Sequence, residues 1–580
     1  MCSNMLKLLG KLRPYWLRIL LLVAITLAGV YTDLALPSLM ARIINQGIAA
    51  QDFSLILLTG GEMLLCALLG VLCAVGSGIL GAQVSMGFGR DLRGLVFRKA
   101  AALSLTEFES FGTAPLIPRT TNDVSQIQLF VMMAFRILIR APLMILGGVT
   151  MALRSSAALS QVVLLSVPAL VITVAVVSSI ALPLSSTIQR SVDRVNLILR
   201  EKLTGLRVER AFGTEGYEEK RFDEANRGLT AVTIKMHRTM AFMMPALTLI
   251  MSFTQIALVW SGAVQIDAGN LLVGDMMAVI QYVMQIMMSL MMFTMIFVMA
   301  PRAVASARRL TQVLELPESI ADPENPARPT GLRGTVEFRD VSLTYQGAEK
   351  PVLEGISFTA RPGEVTAVIG STGSGKSTLV NLIPRFFDAT GGQVLVDGVD
   401  VRQMSQRQLR ERIGFVPQKA LLFRGTIREN IAYGKPDATE EEILAAAKTA
   451  QALEFIREKP GGLDAPVAQL GQNFSGGQKQ RLSIARALVR RPEVYIFDDS
   501  FSALDAKTDA ALRAALKETT GDATVLIVAQ KVSTVMDADR ILVLDGGGCV
   551  GMGTHRELLQ SCPVYQEIVY SQMSAEEVEA

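Results

Sequence analysis

The 580-residue chain is longer than one domain usually runs. Half of it is hydrophobic (50%) and only 19% is charged, against about 25% in soluble domains, which excludes a wholly water-soluble protein. A net charge of +3 gives no ground for nucleic-acid binding, and the five cysteines (Cys2, Cys66, Cys73, Cys549, Cys562) have no ligand spacing and imply no disulfides. Cys66 and Cys73 sit in an apolar run and are expected as buried thiols.

Residues 1–15, with Lys7, Lys11, Arg13 and Pro14, read as a basic amphipathic segment. The apolar run after it is too long for a signal peptide and lacks a small-residue cleavage site, so it reads as a membrane span. Six stretches have spanning length: 16–41, 55–82, 128–153, 158–184, 241–264 and 274–299. Beyond span two (to about 110) and span four (to about 235) the helical pattern persists but becomes charged. Those segments are expected to leave the bilayer as continuing helices.

Charge orients the spans. Lys7, Lys11, Arg13 and Arg18 precede span one, and Arg90, Arg93, Arg98, Lys99 and Arg119 lie between spans two and three. Eleven basic residues from Arg190 to Arg238 lie between spans four and five, and Arg302, Arg308 and Arg309 follow span six. The opposite side holds Arg42 and Arg154. The positive-inside rule therefore predicts a multi-pass plasma-membrane protein with both termini and both long loops cytoplasmic.

Asp33 falls within span one, and Arg136 and Arg140 within span three. Ionisable groups at that depth mark a functional site, or else line a wet cavity and snorkel toward the cytoplasmic face. Span six carries Met276, Met277, Met284, Met287, Met288, Met291, Met292, Met295 and Met299. This is the composition of a promiscuous apolar surface, or of methionine standing in for leucine against lipid.

A Pro- and acid-rich linker (316–333) separates the membrane part (1–315) from a region (334–580) that alternates β-rich and helical runs, as an α/β domain does. There Gly370, Ser371, Thr372, Gly373, Ser374, Gly375, Lys376, Ser377 and Thr378 fit the phosphate-loop pattern, between a strand-like Val365–Ile369 and a helix-like Leu379–Ile383. The glycines turn backbone N–H groups toward phosphate, Lys376 is placed for the β- and γ-phosphates, and the Ser377 hydroxyl for Mg²⁺. The residues predict binding of a nucleoside triphosphate with Mg²⁺, and the cytoplasmic placement makes ATP the expected one.

Further on lies Asn473-Phe474-Ser475-Gly476-Gly477-Gln478-Lys479-Gln480-Arg481. A phosphate loop with this run about 100 residues later closely resembles the ATP-binding cassette (ABC) transporters. Residues 334–575 are similar to their nucleotide-binding domain, and 1–315 to the six-span exporter-type membrane domain. The implied fold is an all-α six-helix membrane domain with long helical extensions, followed by an α/β P-loop ATPase. The resemblance implies that Tyr345 stacks on adenine, that Gln418 and Asp498 reach Mg²⁺, and that Ser502–Asp505 is the loop crossing between paired domains. It implies that Phe474, Ser475, Gly476, Gly477 and Gln478 close over the nucleotide of a partner. Gly112–Asp123 and Gly205–Phe212 resemble the two loops that dock on the ATPase domains, with Pro118 where a serine is common, which leaves the local helix open.

Two positions depart from the family. Asp499 stands where its catalytic base is a glutamate, and Gln530 where its switch residue is a histidine. The only histidines, His237 and His555, replace neither. Aspartate holds its carboxylate about 1.5 Å short, and a misplacement of about 1 Å can cost on the order of 10²-fold. Glutamine has no titratable proton. The expectation is intact binding with slow hydrolysis; a sluggish site in which Asp499 still acts as base stays open. Since the family's ATP sites are shared between two domains, a second half-transporter is the expected partner, in a heterodimer that exports small apolar or amphipathic compounds from among lipid. An ATP-gated regulatory or channel-like protein, or an exporter of lipid, peptide or metal chelate, are the alternatives.

Overall fold

Among the described residues, six helical segments are long and apolar enough to cross a membrane. The structure, a computed structural model, describes residues 2–111, 113–329, 331, 333–345 and 347–573. It divides into two units, residues 1–102 with 111–316 and residues 103–110 with 317–580.

In the first unit, α1 (Cys2–Leu9) leads into α2 (Trp16–Arg42), and α3 (Phe53–Ala102) follows. A short α4 (Leu105–Phe111) lies mostly in the second unit. Then come α5 (Thr113–Pro118), α6 (Val124–Ile137), α7 (Arg140–Ser155), α8 (Ala157–Phe212), α9 (Glu215–Asp267) and α10 (Val273–Leu314). On α3 the leucines Leu57, Leu64, Leu65, Leu68 and Leu72 are all exposed, a surface suited to lipid tails rather than water. At 1.5 Å per residue the 56 residues of α8 run about 84 Å, far beyond a hydrocarbon core of about 30 Å. The charged extensions predicted after spans two and four are helical but shorter than expected, ending at Ala102 and Phe212 rather than near 110 and 235, and the charged residues from Glu215 onward belong to α9. Gly213, at φ 62°, ends α8 in the left-handed position.

Pro118 does not break its helix. It is the last residue of α5, and a π-helical turn over Arg119–Asp123 joins it to α6, absorbing the lost N–H within the turn. Gly112 lies outside the described residues. Asp123 is buried and accepts from Ser306 Oγ and Arg309 Nε, both at 2.8 Å, and from Arg309 Nη2, which ties this loop to the end of α10. In the apolar interior, Tyr282 donates to the Leu34 carbonyl at 3.1 Å. Of the span-six methionines, Met287 is buried, while Met277, Met284, Met288, Met292 and Met295 form one exposed stripe at helical spacing. Cys66 and Cys73, expected buried, are half-buried.

The second unit holds β1 (Val336–Leu343), β2 (Leu353–Ala360), β3 (Val365–Gly370), β4 (Gly391–Val396), β5 (Val399–Asp400) and β6 (Ile413–Val416). A small ribbon, β7 (Gly425–Thr426) with β8 (Pro466–Val467), precedes β9 (Val494–Asp498), β10 (Thr524–Val528), β11 (Arg540–Asp545) and β12 (Gly548–Gly553). An antiparallel sheet runs β2-β1-β4-β5, and a six-stranded sheet runs β12-β11-β3-β10-β9-β6, parallel except for β12. The parallel strands are buried on both faces, which explains their unbroken apolar runs. On β9, Val494 and Ile496 enter one core while Tyr495 and Phe497 enter the other. The residues before β1 lie on this unit: Ala327 N–H donates to the Gln403 carbonyl at 2.8 Å, and Gln406 N–H to Asp322 at 3.0 Å.

Candidate nucleotide site

Parallel register brings the chemistry to one edge. Val528 pairs with Asp498 and with Val368, so β3, β9 and β10 end side by side. The ladder runs one step further, through Asp499 N–H to the Val528 carbonyl (2.9 Å) and Ala529 N–H to the Val368 carbonyl (3.1 Å). β6 ends beside β9, with Val416 opposite Phe497, which leaves Gln418 two residues past the strand end. The carboxyl ends of parallel strands are where such sheets bind ligands.

The loop from Gly370 to Gly375 turns from β3 into α11 (Lys376–Leu382). A Cβ at Gly370 would lie 2.1 Å from the Leu544 carbonyl oxygen, and Gly375 sits at φ 94° beside the Val352 carbonyl, so neither position takes a side chain. Within the loop, the Ser374 hydroxyl is buried and has no hydrogen-bond partner among the described residues. Lys376 Nζ donates to the carbonyls of Gly370 (2.8 Å) and Ser371 (2.7 Å). Burial holds its ammonium below the usual lysine range, against the pull of Asp499 and Asp498. The Ser377 hydroxyl donates to Asp498 Oδ1 at 2.8 Å. Burial raises the Asp498 carboxyl, with the Ser377 bond opposing and Asp499 adding to the rise. An ammonium, a loop turned at two positions that take no side chain, and a buried hydroxyl left without a partner among the described residues fit a polyphosphate. Ser377 and Asp498 are hard oxygen donors of the kind Mg²⁺ takes. When bound, the ion would neutralise charge on the phosphate oxygens.

Asp499 follows directly, at φ 45°. Its Oδ2 accepts from two carboxamides, Gln418 Nε2 and Gln530 Nε2, each at 3.2 Å. Gln418 thus meets Asp499 rather than Asp498. Tyr345 lies across the start of α11, its hydroxyl 3.1 Å from Thr378 Oγ1 and its ring edge-on to Phe387 at 5.4 Å. Ser371, Thr372 and Gly373 complete the loop.

The Asn473–Arg481 run, the signature by which the chain resembles the family, begins a separate helix, Gly476–Leu488. Its cap is reciprocal: Ser475 Oγ accepts from Gln478 N–H (3.3 Å) and Gln478 Oε1 from Ser475 N–H (3.1 Å). Phe474 is buried under Lys459, whose ammonium lies 4.4 Å from the ring centroid, and Gly477 packs on the Ala503 carbonyl. Among the described residues no hydrogen bond joins this helix start to the phosphate loop.

One participant was invisible in the sequence. Gln572, at the end of the C-terminal helix Pro563–Gln572, accepts from Val532 N–H and donates to the Gln530 carbonyl, both at 2.9 Å. Its partners lie about 40 residues away along the chain, so no local pattern marks it. His555 serves elsewhere, its Nδ1 2.7 Å from the Tyr565 hydroxyl.

A P-loop sheet with a capped signature helix, carried in one chain with six spanning helices, defines a membrane ATPase coupled to transport. The family model of the ABC transporter transmembrane region matches residues 19–290, and the ABC transporter model matches 353–502. An ABC transporter ATP-binding protein of Mycobacterium tuberculosis is 44% identical over 97% of both chains. A fatty acid ABC transporter ATP-binding/permease protein of the same species is 35% identical over 82% of this chain and 75% of its own. An ATP-dependent lipid A-core flippase of Pseudomonas aeruginosa is 35% identical over 82% and 79%. Among solved structures, a bacterial Atm1-family ABC exporter with ATP bound matches with a TM-score of 0.79 at 28% identity, over 98% of this chain and 99% of that one. The chain belongs to the ABC transporter family, as an exporter half-transporter with fused membrane and nucleotide-binding domains.

Proposed function

We propose that this chain is one subunit of a heterodimeric exporter, and that its own phosphate loop holds ATP while hydrolysing it slowly. The carrying observation is the Asp499 carboxylate, flanked by the carboxamides of Gln418 and Gln530. A carboxamide donates a hydrogen bond but has no titratable proton and cannot take over as imidazole would. Beside it, Lys376 supplies a cation for the phosphates, and Ser377 and Asp498 supply oxygen donors for Mg²⁺. A partner that supplies glutamate and histidine would form its competent site against Ser475, Gly476 and Gly477 of this chain.

ATP bound at both sites closes the paired ATPase domains, and the affinity difference between closed and open states turns the membrane cavity outward. Hydrolysis at the partner's site resets it. The basic loops put the ATPase domain and both termini in the cytoplasm. The cargo is an apolar or amphipathic small molecule; the lipid-class names of two relatives and the exposed methionine stripe both support that reading.

The test is ATPase activity of this chain alone and with its partner half, expected from a neighbouring reading frame. Turnover is expected only from the pair, with unhydrolysed ATP retained on this chain. Brisk turnover by this chain alone would sink the proposal.

A further inference from the structure

A cavity of about 230 Å³ opens between α2, α3 and the α6–α7 break. It is lined mainly by apolar and small residues, yet three lining side chains are charged: Asp33, Arg136 and Arg140. Arg140 Nη2 donates to Asp33 Oδ2 at 2.6 Å. The pair lies deep, because the Asp33 carbonyl accepts from Gln285 Nε2 at 3.2 Å, and Gln285 falls near the middle of the Val273–Phe293 span.

Arg136 lies four residues before Arg140 and lines the same cavity. Among the described residues no carboxylate pairs with it. Two guanidiniums face one carboxylate, so the lining carries one net positive charge. Uncompensated charge at membrane depth is costly and calls for a counter-charge. One added anion makes the site neutral, and a guanidinium offers it paired N–H donors. At about 30 Å³ per water, the volume takes a headgroup and its first carbons rather than a whole lipid. Apolar side chains such as Leu22, Val30 and Phe135 suit the methylenes that follow.

We propose that this cavity binds the headgroup of an amphiphile carrying one negative charge, with Arg136 as the cation facing the ligand and Asp33 as the resident counter-ion of Arg140. The inference rests on the export reading for its purpose but not for its test. A cationic headgroup would meet two arginines, so the site selects against the apolar cations that methionine-lined surfaces accept.

Gly78 allows a steric test, since it lines the cavity and a Cβ there would meet nothing within 4 Å. The experiment uses the full chain in lipid nanodiscs without nucleotide. Saturation binding is measured for probes sharing one tail: hexadecanoate, hexadecyl phosphate, hexadecanol and hexadecyltrimethylammonium. The expected result is saturable binding of hexadecanoate, weakened about tenfold by Arg136→Gln and retained by Arg136→Lys. Gly78→Leu should abolish it, and Asp33→Asn should tighten it several-fold. Preference for hexadecyl phosphate with the same dependences would assign the charge to phosphate rather than carboxylate and still support an anion site. Thermal unfolding of each variant separates lost binding from lost folding. Equal or tighter binding of the quaternary ammonium, abolished by Asp33→Asn, would overturn the proposal. So would hexadecanoate binding indifferent to Arg136→Gln and Gly78→Leu in folded protein. ATP-dependent movement of the same probe is measured separately in inside-out vesicles holding the pair. Binding without movement would count against the export reading and leave the site standing.

Discussion

The Gln530 carboxamide donates to the Asp499 carboxylate at 3.2 Å, and Gln418 donates to the same oxygen. Both donors are neutral, so neither of them can exchange a proton with the carboxylate that follows the strand. Asp499 also occupies φ 45°, a left-handed conformation that aspartate tolerates better than longer side chains. Asp499→Glu with Gln530→His is expected to raise single-turnover ATP hydrolysis at this site at least about tenfold, from the 10² order that misplacement costs. The same change should cost about 1 kcal/mol of stability from backbone strain. A hydrolysis rate unmoved by the double variant would show that these two residues do not limit the site.

Lys376 is expected to govern binding rather than turnover. It carries the positive charge inside the loop, donating to two loop carbonyls. Hydrogen bonds to charged groups are worth about 1.5–3 kcal/mol. Lys376→Ala should therefore weaken ATP binding about 10- to 100-fold, measured by displacement of a fluorescent ATP analogue.

Gln572 holds the loop after β10 through two hydrogen bonds to backbone groups of Gln530 and Val532. Gln572→Ala should lower stability by about 1–2 kcal/mol at roughly 1 kcal/mol per bond. It should slow hydrolysis by the assembled pair more than it weakens ATP binding. A fall in affinity with turnover unchanged would remove it from that role.

Asp123 joins the loop after α5 to the end of α10 through Ser306 and Arg309. Removing one partner of a wholly buried pair costs about 3–5 kcal/mol. Arg309 is 46% exposed, so Asp123→Asn is expected to cost about 1–2 kcal/mol. Thermal unfolding in detergent should show a Tm lower by a few degrees, with Arg309→Ala giving a similar fall and the double variant little more.

His555 should make the C-terminal helices sensitive to acid. Burial lowers its pKa below the usual value of 6.5, with Arg556 adding and Asp537 opposing. The unfolded chain then binds the proton more readily. The contribution to stability is complete above about pH 6.5 and is lost as pH falls through the folded value. Tm measured against pH should drop below about 6.5 in the natural protein, and His555→Gln should flatten that drop.

Much of the molecule was legible because the signals are local. Twenty-residue apolar runs, a glycine pattern between a strand and a helix, and the signature run each announce themselves within a few residues. The same holds for the identities of Asp499 and Gln530, which are single letters at motif positions. Pro118 was less legible, since its effect depended on whether a π-turn could absorb the missing donor. The pairing of Asp33 with Arg140 was beyond reach, because 107 residues separate them and only helix packing brings them together. The joining of Gln418 and Gln530 on one carboxylate oxygen, and the hold of Gln572 on the loop after β10, likewise depend on strand register and on docking of the Pro563–Gln572 helix. The sequence by itself determined which groups the protein has and the class of machine they form. The tertiary structure decided which of those groups meet, because hydrogen bonds and ion pairs act over about 3 Å while the partners lie tens to hundreds of residues apart.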